Sequence, residues 1–367
     1  MKRIIINGAN GYVASNFIKK LIAQDYEVIA LVRGNSKFSA KQRMLNALEE
    51  MSNGEKLKYE NLKVYNYALL EEDFSMSQEQ LRVIFNKKAY YYHFAASLKF
   101  SEKTKDEIFK TNINGVNNSI NLFLKYATKN SQFFFISTAY SCGKTSSIFK
   151  EEFYKNKEIT SFRNYYEQSK RFAENLIRKN IDDNGLNAHI LRPSQVVGNN
   201  ITGITKTDFG VFDFMKRLSN LAYKYPNETV RIKVNPDATQ NLIPINTIAN
   251  YLIATITKEE LPTIINFVAK QPIKNSDIIN CIGNMLPIKI ISTKQLDKNL
   301  MTPIERLIDI GMSFTGEYSD TNIHFDTKNL DKIITTKESE ITKESLQQML
   351  DYFANNFLRK RILSKVS

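Results

Sequence analysis

MKRIIINGANGYVA, residues 1–14, decides the fold. The β-favouring run Ile4-Ile5-Ile6 leads straight into Gly8-x-x-Gly11-x-x-Ala14, and a helical pattern begins at residue 12. That order gives the glycines a purpose. They let the backbone turn sharply and approach a pyrophosphate, whose charge then sits at the helix N-terminus among unpaired N–H groups. Ala14 stands where a third glycine is usual and is small enough for close helix packing. The stretch therefore reads as a dinucleotide-binding turn opening a βαβ unit.

Working outward, short apolar runs alternate with longer amphipathic stretches up to about residue 195, the pattern of a parallel sheet. Strands are expected over 3–6, 27–32, 62–65, 90–94, 132–136 and 188–191, with helices near 12–24, 38–51, 77–86, 103–128 and 162–180. Apolar segments at 231–234 and 264–268 continue the theme, and an amphipathic stretch near 342–362 closes the chain. The fold class is α/β: a doubly wound parallel sheet of Rossmann type with a smaller, mostly helical C-terminal lobe. Residues 1–198 plus 239–269 are assigned to the dinucleotide domain, and 199–238 plus 270–367 to the substrate lobe.

The 367 residues allow one large domain or two coupled ones at roughly 100–200 residues each. Only Cys142 and Cys281 are present, which excludes a disulfide framework. His93, His189 and His324 are scattered without cysteine clusters, so no metal site is expected. No run approaches the ~20 apolar residues of a membrane span, and a cytoplasmic setting is the default. The net charge of +13 comes from basic residues spread along the chain and not gathered in blocks, so no nucleic-acid partner is expected. A positive field equally suits phosphorylated cofactors, coenzyme A or an acidic carrier protein.

Two further patterns carry chemistry. The second strand, EVIALVRG, ends in Arg33 with Arg43 on the next helix, where NAD-binding folds place an acid; Asp25 and Glu27 lie at the wrong end. A guanidinium there pairs with a 2′-phosphate, which favours NADP(H). The fifth strand opens into Ser137-Thr138-Ala139-Tyr140, and Tyr166-Glu-Gln-Ser-Lys170 follows on a helix. Tyr166 and Lys170, four apart, share a helix face, so the ammonium is expected to draw the phenol pKa down. A strand-end hydroxyl can join the tyrosine at one substrate oxygen. Elsewhere His93 is read as packing or capping, Cys142 as a small filler, and Phe133–Phe135 as a buried central strand. Phe209, Phe212, Phe214 and Met215 either line an acyl channel or pack the lobe.

With these residues the chain resembles the extended short-chain dehydrogenase/reductase superfamily over about residues 3–290, through NGANGYVA, HFAAS (93–97), TNINGV (111–116), ISTAY (136–140), YEQSK (166–170) and LRPSQVVG (191–198). Within it the chain is most similar to the thioester-reductase and fatty-acyl reductase, or male-sterility-type, branch. The shared blocks are LVR followed by Ala40-x-x-Arg43, His93-x-Ala-Ala-x-x-x-Phe100, the STAY block, RPSQVVG followed by Thr202-Gly203, and NPDATQNLIPIN (235–246). The resemblance implies Thr138, Tyr166 and Lys170 as catalytic triad, with Ser137 as fallback for Thr138 and Asn112 supporting the lysine through water. It implies Gly8, Asn10, Gly11 and Tyr12 around the pyrophosphate, Arg33 and Arg43 at the 2′-phosphate, Ala95 and Ser97 on the adenosine side, Tyr166 and Lys170 at the ribose, and Pro193 and Val196 at the nicotinamide. One departure stands out: the branch's Gly-Asp pair after the third strand, whose Asp contacts adenine, reads Asn66-Tyr67.

The implied activity is NADPH-dependent reduction of acyl thioesters on coenzyme A, or on an acyl or peptidyl carrier protein supplied in trans, to aldehyde or alcohol. Homodimerisation through helices like 103–128 and 162–180 is also implied. The alternatives are a nucleotide-sugar epimerase or dehydratase, and a ketone or hydroxyl oxidoreductase of the same superfamily.

Overall fold

The computed structural model describes residues 1–334 and 340–358, with side chains omitted at 312–316. In chain order the elements run β1 Lys2–Asn7, α1 Tyr12–Ile22, β2 Tyr26–Val32, α2 Ala40–Ser52, β3 Leu62–Asn66, α3 Gln78–Phe85, β4 Ala89–His93, α4 Lys105–Phe109, α5 Gly115–Tyr126, β5 Gln132–Ile136, α6 Tyr165–Asn184, β6 Ala188–Pro193 and β7 Gln195–Val197. Then follow α7 Val211–Ala222, β8 Thr229–Lys233, β9 Thr239–Gln240, β10 Leu242–Pro244, α8 Ile245–Thr257, β11 Ile264–Phe267, β12 Ile273–Lys274, α9 Asn275–Gly283, β13 Lys289–Thr293, α10 Pro303–Gly316, α11 Lys328–Ile333 and α12 Lys343–Phe353.

Seven strands form one sheet in the order β11-β6-β5-β4-β1-β2-β3, every pairing parallel. Successive side chains point to opposite faces, and the two faces build separate cores. Ile4, Ile6, Val28, Ala30, Tyr92 and Phe134 pack with α1, α2 and α8, whereas Ile5, Ile29, Tyr91, Phe133 and Phe135 pack with α3, α5 and α6. A doubly covered parallel sheet of this kind is the Rossmann architecture, and its strand ends carry the ligand at the crevice where the order reverses beside β1. The expected helix over 103–128 is broken into α4 and α5 by a π turn at Lys110–Asn114. Such turns gather at functional sites.

A third core, drawn from α7, β8, α9, α10 and α12, makes the C-terminal lobe. Residues 231–234 were expected to continue the large sheet; β8 instead pairs with β13 inside the lobe, and only β11 joins the sheet edge. Leu330 and Ile333 of α11, far beyond residue 270, are buried in the core of the sheet. The stretch expected near 342–362 is α12 followed by a π turn at Ala354–Leu358, and 359–362 lie outside the described residues. Among the described residues no helix is long and apolar enough to cross a membrane, and no group of three His, Cys, Asp or Glu could hold a metal ion.

Candidate active site

The turn after β1 is built for close approach. Gly8 has φ +61°, and a Cβ there would come 2.7 Å from the Ala95 nitrogen, so only glycine fits both the conformation and the space. Gly11 donates its N–H to the Gly8 carbonyl at 3.0 Å and caps α1 without a side chain, leaving the first-turn N–H groups facing outward. Asn7, buried at the end of β1, accepts the N–H groups of Phe94 and Ala95 at 2.9 and 3.0 Å and so fixes the exit of β4 beside the turn. Tyr12 reaches the other way and donates to the Val197 carbonyl at 3.1 Å. This cradle fits a dinucleotide pyrophosphate.

At the end of β2, Arg33 is exposed and Arg43 donates to its carbonyl oxygen. Glu27 sits at the opposite end of the strand. Burial works to raise its pKa, yet hydrogen bonds from Arg3, Lys87 and Lys63 hold it at about 2. The departure at Asn66-Tyr67 has a structural purpose. Asn66 Oδ1 accepts the Gly34 N–H at 2.8 Å, and the Tyr67 hydroxyl accepts the Gly8 N–H at 3.1 Å, so the pair braces both loops of the nucleotide end. Burial pushes the Tyr67 phenol up to about 12, which keeps that hydroxyl protonated.

Thr138 leaves β5 with its hydroxyl accepting the Tyr140 N–H at 3.2 Å and lying 3.5 Å from the Pro193 carbonyl. Ser137, the fallback, donates to Glu174 at 2.5 Å and is already engaged. Tyr166 is on the first turn of α6, edge-on to Phe100 at 5.7 Å. The expected ammonium–phenol pairing takes a different form here. Lys170 donates to the Ile136 carbonyl at 2.7 Å and stands 5.9 Å from the Tyr166 ring centre. Burial then dominates both groups. It raises Tyr166, with the Glu167 charge adding to the effect, and lowers Lys170 to about 7 against the pull of Glu174. Asn112, in the π turn, accepts the Ser97 N–H at 2.7 Å and donates to the Ser97 carbonyl at 3.2 Å and the Ser169 hydroxyl at 2.9 Å. Its side chain is thus bonded to the neighbour of Lys170 and not to the lysine.

Behind this group Glu174 accepts from Ser137, Ser141, Arg171 and Arg192, all buried. Burial alone would raise its pKa, but the two guanidinium groups and Ser137 hold it at about 2. Sequence reasoning passed over Glu174, although it lies one helical turn beyond Lys170, the spacing that puts two side chains on one face. Tyr318 was also missed. It donates to Glu167 at 2.6 Å, accepts from Asn164 at 2.8 Å and joins the lobe to the first turn of α6, and no local pattern announces it.

One cavity of about 390 Å³ runs from the glycine turn to the lobe. Gly8, Gly11, Tyr12, Thr138, Tyr166, Lys170, Pro193 and Val196 line it together. Asn10, Arg33, Arg43, Ala95, Ser97 and Asn112 lie outside this cavity, and Ala96, between Ala95 and Ser97, lines it. Phe209 faces the cavity, Phe212 and Met215 are packed in the lobe core, and Phe214 belongs to both. His93 is buried between Asn7 and Ser119, and Cys142 is a buried free thiol.

A Drosophila melanogaster protein provisionally named fatty acyl-CoA reductase CG8303 is 26% identical over 229 residues, 54% of this chain and 41% of that protein. The chain therefore spans under half the length of that relative. The terminal R domain from the myxalamid PKS-NRPS biosynthetic pathway superposes with a TM-score of 0.78 at 18% identity, covering 97% of this chain and 91% of that one. A thiolation-reductase di-domain from an archaeal non-ribosomal peptide synthetase gives 0.76 at 16% identity, covering 98% and 76%. Both share the fold. The NAD-binding family described as male sterility protein matches residues 6–252, well over half of the sequence, and the chain belongs to that family.

Proposed function

We propose that the protein is an NADPH-dependent reductase of acyl thioesters. The observation that carries the reading is the convergence of Thr138, Tyr166 and Lys170 on a cavity in which, among the described residues, Lys170 is the only charged one. Beyond the glycine turn, the lobe end of the cavity offers a second diphosphate no cation among the described residues, which counts against a sugar-nucleotide substrate; an acyl chain suits walls such as Phe100, Phe209 and Phe214. The family, the name of the Drosophila relative and the reductase named in the archaeal di-domain support the same class. Arg33 and Arg43, with no acid at the end of β2, support NADP(H) over NAD.

When bound, the nicotinamide supplies a hydride to the thioester carbonyl carbon. The hydroxyls of Thr138 and Tyr166 hydrogen-bond the oxygen that becomes negative, and Tyr166 gives it a proton. A phenol held protonated by burial suits that direction of transfer. Lys170 stands behind Tyr166 to place the ribose and to balance the phenolate left behind. The hemithioacetal hydroxyl gives up its proton as the C–S bond breaks, the departing sulfur takes a proton, and thiol and aldehyde leave; a hydride from a second NADPH, with a proton from Tyr166, would reduce the aldehyde to alcohol. Coenzyme A or a carrier-protein arm would present the thioester.

The test is NADPH oxidation with an octanoyl pantetheine thioester by wild type, Tyr166→Phe and Arg33→Ala, with NADH and UDP-glucose as comparison arms. Tyr166→Phe should retain cofactor binding and lose nearly all turnover. Arg33→Ala should raise the NADPH KM about tenfold, the equivalent of ~1.4 kcal/mol, and leave NADH unaffected. Turnover of UDP-glucose without thioester reduction would overturn the reading.

A further inference from the structure

Buried polar groups without partners are rare in folded proteins, because such a group loses its water and gains nothing in return. Among the described residues two such atoms belong to side chains on the cavity wall, Ser194 Oγ and Gln195 Nε2. The other amide-bearing side chains on that wall are engaged. Gln240 donates to Asn275 Oδ1 at 3.1 Å and to the Tyr318 carbonyl at 2.9 Å, and Asn275 donates to the carbonyls of Asn235 and Ser319 at 2.9 and 2.8 Å.

Gln195 is also seated. Its amide lies across Gly210, which caps α7 at φ +60°, and a Cβ there would collide with Nε2 and Cδ. Apolar residues adjoin it: Leu242 is its partner in the β7–β10 ladder, and Val211 follows Gly210 on the same cavity wall. A leucine would fill such a place without an unpaired donor. The corner follows Pro193, whose carbonyl lies 3.5 Å from the Thr138 hydroxyl, so its backbone passes the reacting end of the cavity that the Gln195 side chain also lines.

Resting on the reading of the site as a thioester reductase, we propose that Gln195, held on Gly210, recognises a secondary amide of the substrate close to the thioester, its Nε2–H donating to the amide carbonyl. A carboxamide offers donor and acceptor side by side, the complement of another amide. A carboxylate or phosphate would call for a cation, and Lys170 is engaged at Ile136. Two sources carry such an amide: the pantetheine arm on the thiol side, and an acyl chain bearing an amide, as in a peptidyl or N-acylaminoacyl group.

Three thioesters separate them: S-octanoyl-N-acetylcysteamine with its amide on the thiol side, the ethyl thioester of N-octanoylglycine with its amide on the acyl side, and amide-free ethyl thiooctanoate. KM and kcat are compared for wild type, Gln195→Leu and Gly210→Ala, the latter pushing the amide off its seat. Calorimetry with the non-reducible thioether S-octyl-N-acetylcysteamine, and with N-octanoylglycine amide, gives dissociation constants independent of turnover. Both variants should raise KM and the matching dissociation constant about tenfold for one amide-bearing class relative to ethyl thiooctanoate, with kcat changing far less. The affected class names the source. Equal shifts for all three thioesters, or no shift in a variant that melts like wild type, would overturn the assignment of Gln195. If none of the three is reduced, the thioester reading fails, and the calorimetric arm still decides whether Gln195 binds amides.

Discussion

Behind the end of β5, Glu174 collects hydrogen bonds from Ser137, Ser141, Arg171 and Arg192, whereas at the corner between β6 and β7 the Ser194 hydroxyl and the Gln195 amide nitrogen are buried with none among the described residues. The corner and Glu174 flank Thr138 from two sides. The first region is closed: every charge is paired, and the two serines it holds bracket Thr138, so the network sets where that hydroxyl sits. The second is open and becomes complete only when something enters the cavity. Polar groups satisfied by the protein build a rigid frame, and polar groups left over mark where a ligand supplies the missing partner.

The comparison breaks first at Glu174. Glu174→Leu leaves Arg171 and Arg192 buried without their carboxylate, and removing one partner of such a network costs about 3–5 kcal/mol. Urea denaturation of Glu174→Leu should show a loss of that size above pH 5. Because the folded-state pKa is about 2, below the ordinary 4.5, the carboxylate contributes stability above 4.5 that is lost as pH falls through 2, so the gap between wild type and variant should narrow there. A loss under ~1 kcal/mol would mean that the network is not the frame.

Lys170 tests the frame from its functional edge. Burial lowers its pKa to about 7 from an ordinary 10.5, so the folded chain holds fewer protons than the unfolded one between those values, and stability rises with pH across that window. Lys170→Met should abolish turnover while raising the melting temperature of the cofactor-free protein at pH 6–7, with the advantage shrinking toward pH 10.5. A variant that melts lower than wild type at pH 6 would show that the bond to the Ile136 carbonyl outweighs the burial of the ammonium.

The two regions also differ in how far they could be read from the chain. The sheet was legible because a parallel strand buried on both faces is apolar throughout, as in Phe133-Phe134-Phe135, and the glycine turn because Gly8, at φ +61° with no room for a Cβ, does what no other residue can there. That Tyr166 and Lys170 share one helix was legible from their spacing. Where a side chain turns after its backbone has been placed was not. Ser97 and Ala95 occupy the right strand end, but Asn112 and the close approach of Gly8 draw them off the wall. Gln195 stands inside the RPSQVVG block, and its meaning depends on Gly210, fifteen positions away in the sequence. Pairings across such gaps, like that of Tyr318 with Glu167, are products of the lobe packing and leave no periodic trace.

The smallest test uses one substitution in both regions. Ser137→Ala removes a donor from a buried carboxylate, and hydrogen bonds to charged groups contribute about 1.5–3 kcal/mol. Ser194→Ala removes a hydroxyl that has no partner and should change stability by less than ~0.5 kcal/mol, or improve it slightly. Both serines are almost fully buried at strand ends, so loss of packing is nearly equal and the difference isolates the hydrogen bond. Paired urea titrations at pH 7 read it directly. Equal losses would mean that Ser194 has a partner within the protein and that the corner is as closed as the frame behind Thr138; a loss confined to Ser137 leaves the β6–β7 corner as the side of the cavity that waits for substrate.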